Sequence, residues 1–213
     1  VVGPEDSGSR FVAITDAGTS LDLKGTDQGF RTVFRNPEDM GGRYSVLSYF
    51  GLVPAASTGI DITALSASAR AMEEACEPHI AIDQNPGLWL GAALASLAQN
   101  GRDKLTLVTS STLAGFGLWA EQLIAESTGK DSTGIVPVTG EPLFDVSQYG
   151  DDRFFVFLQL EGDDSSELNS AKSQLESAGH SVVSYTLEDL HDLGGEFYRW
   201  EFATAVAGHV MGI

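Results

Sequence analysis

The chain has 213 residues, with 30 Asp and Glu against 12 Lys and Arg, a formal net charge of −18. Affinity for a phosphate backbone needs clustered Lys and Arg, so a general nucleic-acid binder is excluded. Apolar residues at 42% and charged residues at 20% describe a folded chain rather than a disordered or fibrous one, and the length suits one large domain or two small ones.

Arg10 to Thr15 (RFVAIT) is a β-branched and aromatic run leading into Asp16-Ala17-Gly18-Thr19-Ser20, the pattern of a strand, a loop and a helix start. Arg31 to Phe34 reads as a second short strand, closed at Asn36-Pro37 because the residue before proline is pushed out of helical dihedrals. Val46 to Ala56 is apolar enough to predict a buried helix. Amphipathic helices are predicted over Ile62 to Cys76 and Pro86 to Asn100, the second ended by Gly101. The alternation then repeats. Lys104 to Thr109, Gly134 to Thr139, Arg153 to Leu160 and Ser181 to Tyr185 read as strands. Leu113 to Ser127, Ser165 to Ser177 and everything from Leu187 onward read as helices, the last carrying Gly194-Gly195 inside it. Strands separated by helices of this length argue for parallel βαβ units, hence an α/β class with helices layered on both faces. A boundary between two domains is expected in the loop from Glu77 to Asn85, between Pro78 and Pro86.

No run of about 18 apolar residues is present to span a bilayer, and the N-terminus lacks the basic-then-apolar order of a secretory signal, so a soluble, cytoplasmic protein is expected. Cys76 is the single cysteine, which excludes an internal disulfide and a thiolate metal cluster. His79, His180, His191 and His209 show neither HxxxH nor HxH spacing, so no metal site is expected, and His209, within the apolar stretch Ala203 to Ile213, reads as a core or interface histidine. No GxSxG elbow points to a serine hydrolase.

In open α/β sheets ligands gather at the carboxyl ends of strands. Two such loops, Thr15 to Ser20 and Thr109 to Thr112, place hydroxyls and backbone N–H groups at a helix start, as a phosphate cradle or a plain N-cap would. Gln122 and Glu126 lie four apart, on one face near the end of the helix from Leu113. A carboxylate there meets the negative pole of the helix dipole, which favours its protonated form and suits a proton-transferring base; a solvated surface Glu is the alternative. Arg43 stands between Gly41-Gly42 and Tyr44, where missing side chains let a ligand approach the guanidinium, or where it pairs with a helix end.

These residues also carry a family resemblance. Glu38 to Ser48 (EDMGGRYSVLS), continued by Gly51 to Ala56 (GLVPAA), resembles the first signature of glucose-6-phosphate isomerases. Glu121 to Lys130 (EQLIAESTGK), followed by Gly134 to Val138 (GIVPV), is similar to the second. Asn85 to Gly91, Tyr149 to Arg153 and Arg199 to Gly208 resemble the isomerase half of bifunctional transaldolase/glucose-6-phosphate isomerases.

The resemblance implies a three-layer αβα fold with parallel sheets in a pair of sugar isomerase (SIS) domains: residues 1–77 as the later part of the first and 78–213 as most of the second. It implies interconversion of glucose 6-phosphate and fructose 6-phosphate through a cis-enediol, with Glu126 as base, Arg43 stabilising the enediolate and Gln122 holding the sugar, without cofactor or metal. A homo-oligomer is compatible with it. The family's Ser-Lys-Ser-Gly-Thr-Thr phosphate loop, its Asn-Pro-Phe-Asp-Gln segment with the following catalytic Lys, and its ring-opening histidine have no counterpart here, so the chain is expected to be an internal piece of a longer enzyme, inactive alone. Two other readings stand beside it: a non-catalytic phosphosugar-binding SIS module that regulates a partner, and a structural module that stabilises an oligomer.

Overall fold

A computed structural model describes residues 7–130 and 132–213. The chain divides into two compact units, residues 1–63 and 64–213.

In the first unit β1 (Val12–Asp16) and β2 (Thr32–Asn36) pair in parallel, Val12 beside Thr32 and Asp16 beside Asn36, with α1 (Ser20–Asp27) as the crossover. The Thr19 hydroxyl caps α1 by accepting from Asp22 N–H at 3.3 Å. After β2 a 3₁₀ turn, Gly42–Tyr44, leads to α2 (Tyr49–Ser57), whose N-cap is Ser48. Asn36 ties the strand to that helix: its amide donates to Ser48 Oγ at 3.1 Å, and its carbonyl oxygen accepts from Tyr49 N–H at 3.2 Å. The buried helix expected over Val46 to Ala56 is corrected here. It begins at Tyr49 because Ser48 caps it, and none of its residues is fully buried. Its apolar side chains line an open groove with Val12, Ile14 and Phe34.

The second unit holds α3 (Ile62–Ala75) from Ala64 on, and α4 (Pro86–Gln99). A four-stranded sheet in the order β4-β3-β5-β6 follows, formed by β3 (Lys104–Thr109), β4 (Val136–Thr139), β5 (Arg153–Leu160) and β6 (Ser181–Leu187). All three pairings are parallel. The crossover α5 (Ala114–Thr128) leads from β3 to β4, and α6 (Ser166–Ser177) leads from β5 the opposite way to β6, so right-handed connections place them on opposite faces. This is the α/β architecture with parallel sheets that the alternation predicts. β5 explains its own sequence: RFFVFLQL is buried from Phe154 to Gln159 because both faces are covered. Phe155 and Phe157 pack with Leu175 of α6, while Phe154, Val156 and Leu158 point the other way. Pro137 lies in the edge strand β4, where a missing N–H costs no ladder bond.

The C-terminal helix is corrected at its start. Leu187 still pairs with Leu160, a 3₁₀ turn spans Leu190–Asp192, and α7 runs Leu193–Met211. Gly194, in its first turn, is the point of closest approach to α3: a Cβ there would stand 1.9 Å from the Leu65 carbonyl oxygen. Farther along, Phe197 and Trp200 meet Phe116 and Trp119 of α5 with ring centroids 4.8 to 5.9 Å apart. Such pairs contribute about 0.5–1.5 kcal/mol each beyond their burial.

Candidate active site

The sequence places its strongest acid-base pair on α5, and the sheet explains why that helix is rigid. Phe116, Gly117, Ala120, Leu123, Ile124 and Thr128 are buried, leaving Leu118, Gln122 and Glu126 on the solvent side. There the Gln122 amide donates to Glu126 Oε1 at 3.1 Å, which directs the carboxylate along the helix face. The pair predicted from its spacing is therefore formed. At the helix end Lys130 Nζ donates to the carbonyl oxygens of Glu126 and Ser127 at 3.0 and 3.3 Å.

Arg43 belongs to the first unit, in the turn Gly42–Tyr44, with its guanidinium 5.7 Å from the Tyr44 ring centroid. No atom comes within 4 Å of where a Cβ would stand on Gly41 or Gly42, so the approach that the two glycines promise is open on that side. Gln122 and Glu126 belong to the second unit.

Both candidate anion cradles do hold an anion, supplied by the protein. In the first, Gly18 N–H donates to Asp22 Oδ2 at 2.9 Å, and Arg35 pairs with the other oxygen at 2.7 Å. The Arg35 guanidinium and then the Gly18 N–H hold the Asp22 carboxyl below its ordinary range. In the second, at the carboxyl ends of β3 and β5, the Thr112 hydroxyl and N–H donate to Asp163 at 2.9 and 3.4 Å. The Ser110 and Thr112 hydroxyls keep Asp163 likewise ionised to lower pH. Of the two readings of these loops, the plain cap is the one formed at Thr19, and in each loop a carboxylate of the same unit accepts from groups that a phosphate would use.

The histidines take other roles. His79 pairs with Glu77 at 3.1 Å, His191 with Asp189 at 2.5 Å, and His180 stacks edge-on against Phe155 with centroids 5.3 Å apart. His209 is exposed, which corrects the core half of its reading as a core or interface histidine. No group of three or more metal-ligating side chains occurs among the described residues, and no helix there is long and apolar enough to cross a membrane.

Two acids on α7, Glu196 buried and Glu201 half-buried, escaped the sequence reading. Glu196 is 2% exposed, accepts from Trp200 Nε1–H at 3.2 Å and pairs with Arg199 at 3.1 Å; burial pushes its carboxyl up against the pull of that guanidinium. Arg199 in turn lies 4.2 Å from the Tyr185 ring centroid. Glu201 has no such support: its Oε1 is buried without a hydrogen-bond partner, and burial pushes the carboxyl up to about 8. Its signal in the sequence is an acid set between Trp200 and Phe202 in an apolar run.

No family model matches the chain. Sequence comparison finds proteins named glucose-6-phosphate isomerase. That of Symbiobacterium thermophilum is 38% identical over 150 residues, 70% of this chain and 33% of the relative. That of Heliobacterium modesticaldum is 30% identical over 249 residues, 99% of this chain and 55% of the relative. The chain thus spans between 33% and 55% of the length of these curated relatives. Among solved structures, a hypothetical protein from Thermus thermophilus superposes with a TM-score of 0.84 at 22% identity, over 98% of this chain and 59% of that one. A glucose-6-phosphate isomerase-like protein from the same organism gives 0.53 at 15% identity, over 94% of this chain and 72% of that one. These likenesses concern the fold alone; it is the sequence matches, at 30 to 38% identity, that make proteins named glucose-6-phosphate isomerase homologues of this chain.

Proposed function

We propose that these residues are the core of a glucose-6-phosphate isomerase, a longer parent enzyme interconverting glucose 6-phosphate and fructose 6-phosphate, and that the 213-residue chain alone is inactive. The observation that carries the reading is the Gln122–Glu126 pair: a carboxylate on solvent-facing helix surface, oriented by an amide at 3.1 Å, inside a segment similar to the isomerase signature. In this assignment Glu126 takes the proton from C2 of the open-chain aldose and returns it to C1. The Arg43 guanidinium meets the charge that develops on O1 as the cis-enediolate forms. Gln122 holds one oxygen of the base and the sugar beside it, leaving the second oxygen for the proton. No step calls for a metal or an organic cofactor.

The same proposal takes residues 1–77 as the later part of one SIS domain and residues 78–213 as most of a second, in a cytoplasmic enzyme resembling the transaldolase-fused branch. Two points support inactivity of the chain alone. Its relatives are about twice as long or longer. Its two cradle-like turns hold Asp22 and Asp163, so neither offers its donors to the sugar phosphate, whose recognition supplies binding energy to the reacting carbons.

The test is a coupled isomerase assay on fructose 6-phosphate, run on this chain and on a version extended at both ends. Activity in the extended protein alone is the expected result. Turnover by the 213-residue chain refutes its inactivity, and silence from both, in folded samples, moves the reading to a phosphosugar-binding module.

A further inference from the structure

Gln122, Glu126 and Lys130 follow one another at intervals of four residues, and the third lies just beyond the end of α5 at Thr128. Helices commonly end on a glycine in the left-handed conformation, whose N–H groups return to the last carbonyls. Gly129 follows α5 with φ −74° and ψ 75°, outside that conformation, and its N–H reaches only the Ala125 oxygen, at 2.9 Å. The carbonyls of Glu126 and Ser127 lie in the last turn of α5. The Lys130 ammonium takes both, at 3.0 and 3.3 Å. Lys130 is itself held at the backbone: its N–H donates to Thr133 O at 3.0 Å, and its carbonyl accepts from Thr133 N–H at 2.8 Å. Two residues earlier the buried Thr128 hydroxyl donates to Ile124 O and accepts from Ile135 N–H, both at 2.9 Å. The last turn of α5 is thus fixed from inside by Thr128 and from outside by Lys130. Glu126, whose carbonyl Lys130 holds, lies in that turn.

We propose that Lys130 is a positioning residue for Glu126: by capping the terminal carbonyls of α5 it sets the backbone from which the base projects, and so the point at which the carboxylate meets the sugar carbon. The inference rests on the isomerase reading above. It makes Lys130 distinct from a phosphate contact, because a residue that only attracted the anionic substrate would act on affinity, whereas one that aims the base acts on turnover.

The experiment replaces Lys130 by Met, which keeps the length and removes the donors, and by Arg, which keeps donors able to reach both carbonyls. In the extended, active protein Lys130→Met is expected to lower kcat about tenfold or more with KM within about twofold, and Lys130→Arg to recover most of that loss. In parallel, amide hydrogen exchange on the 213-residue chain is expected to show faster exchange at Thr128 and Gly129 in the Met variant, and near-normal exchange in the Arg variant. A Met variant with unchanged kcat, with a rise in KM alone, or with unchanged exchange overturns the inference. An unsubstituted extended protein without isomerase activity overturns the reading beneath it, and that outcome is seen before any variant is compared.

Discussion

The Thr112 hydroxyl donates to Asp163 Oδ1 at 2.9 Å, joining the turn that opens α5 to the loop that leaves β5. The carboxylate occupies the place an external anion would take at that helix start.

Emptying this turn should make it responsive to phosphate. Asp163→Ala is expected to lower the melting temperature and to make it rise on adding inorganic phosphate, while the unsubstituted protein stays indifferent. Thermal unfolding with and without phosphate measures this, and an Asp163→Ala protein equally indifferent sinks the cradle interpretation. Because Asp163 is held below its ordinary value, its stabilising effect is present above the unfolded value of about 3.9 and is lost as pH falls through the lower folded value. Asp163→Asn should therefore flatten the dependence of stability on pH below about 4.

Glu201 works in the opposite sense. Its folded value of about 8 lies above the unfolded one, so the native state binds the extra proton. Stability is then highest below about 4.3, declines as pH rises through the interval up to about 8, and levels off beyond it. Glu201→Gln, which imitates the neutral acid, should be more stable than the parent at pH 9, by an amount on the order of a few kcal/mol, and nearly equal to it at pH 4. Urea unfolding at the two pH values decides it; equal differences at both would show that ionisation of Glu201 is irrelevant.

Two glycines of α7 should respond to alanine with opposite signs. At Gly194 the new Cβ would meet the Leu65 carbonyl at 1.9 Å, and α3 and α7 can separate only by disturbing the core, at a cost of about 1–3 kcal/mol or more. At Gly208 a Cβ would meet nothing within 4 Å beyond its own helix backbone and chain neighbours, and alanine should stabilise the helix by about 0.5–1 kcal/mol. Denaturant midpoints of the two variants give both signs at once.

For the chemistry, Glu126→Gln in the extended protein is expected to remove isomerase turnover, at least about a hundredfold, while sugar-phosphate binding by calorimetry stays within a few-fold. Gln122→Leu, which leaves the carboxylate but not its orienting amide, should cost less, about tenfold. Retention of near-normal exchange of the C2 hydrogen with solvent by Glu126→Gln would exclude it as the base.

How much of this is visible in the sequence depends on the range of the interaction. β3 and β5 fall where Lys104 to Thr109 and Arg153 to Leu160 place them, because strands covered on both faces need unbroken apolar runs. The Gln122–Glu126 contact is legible because a four-residue interval on a helix is already a distance. The helix starts at Thr19 and Thr112 are legible as anion-binding turns, but not the anion in the second: Asp163 comes from 51 residues away, and no local pattern announces it. The depth of α2 is hidden for a related reason. Composition reports that Val46 to Ala56 is apolar, whereas burial depends on what lies over it, and among the described residues its neighbouring sheet has two strands. Gly194-Gly195, awkward in a helix by propensity, becomes intelligible once α3 is seen to run against it.

The face of α5 that bears Gln122 and Glu126 is exposed, and the residues that the helix buries against its own sheet lie on the other side. Heritable change at the two positions is therefore nearly free of a folding penalty. Lineages that inherit this helix can try other acids, bases and polar groups there while the architecture stands, which leaves selection on the reaction largely decoupled from selection on foldability.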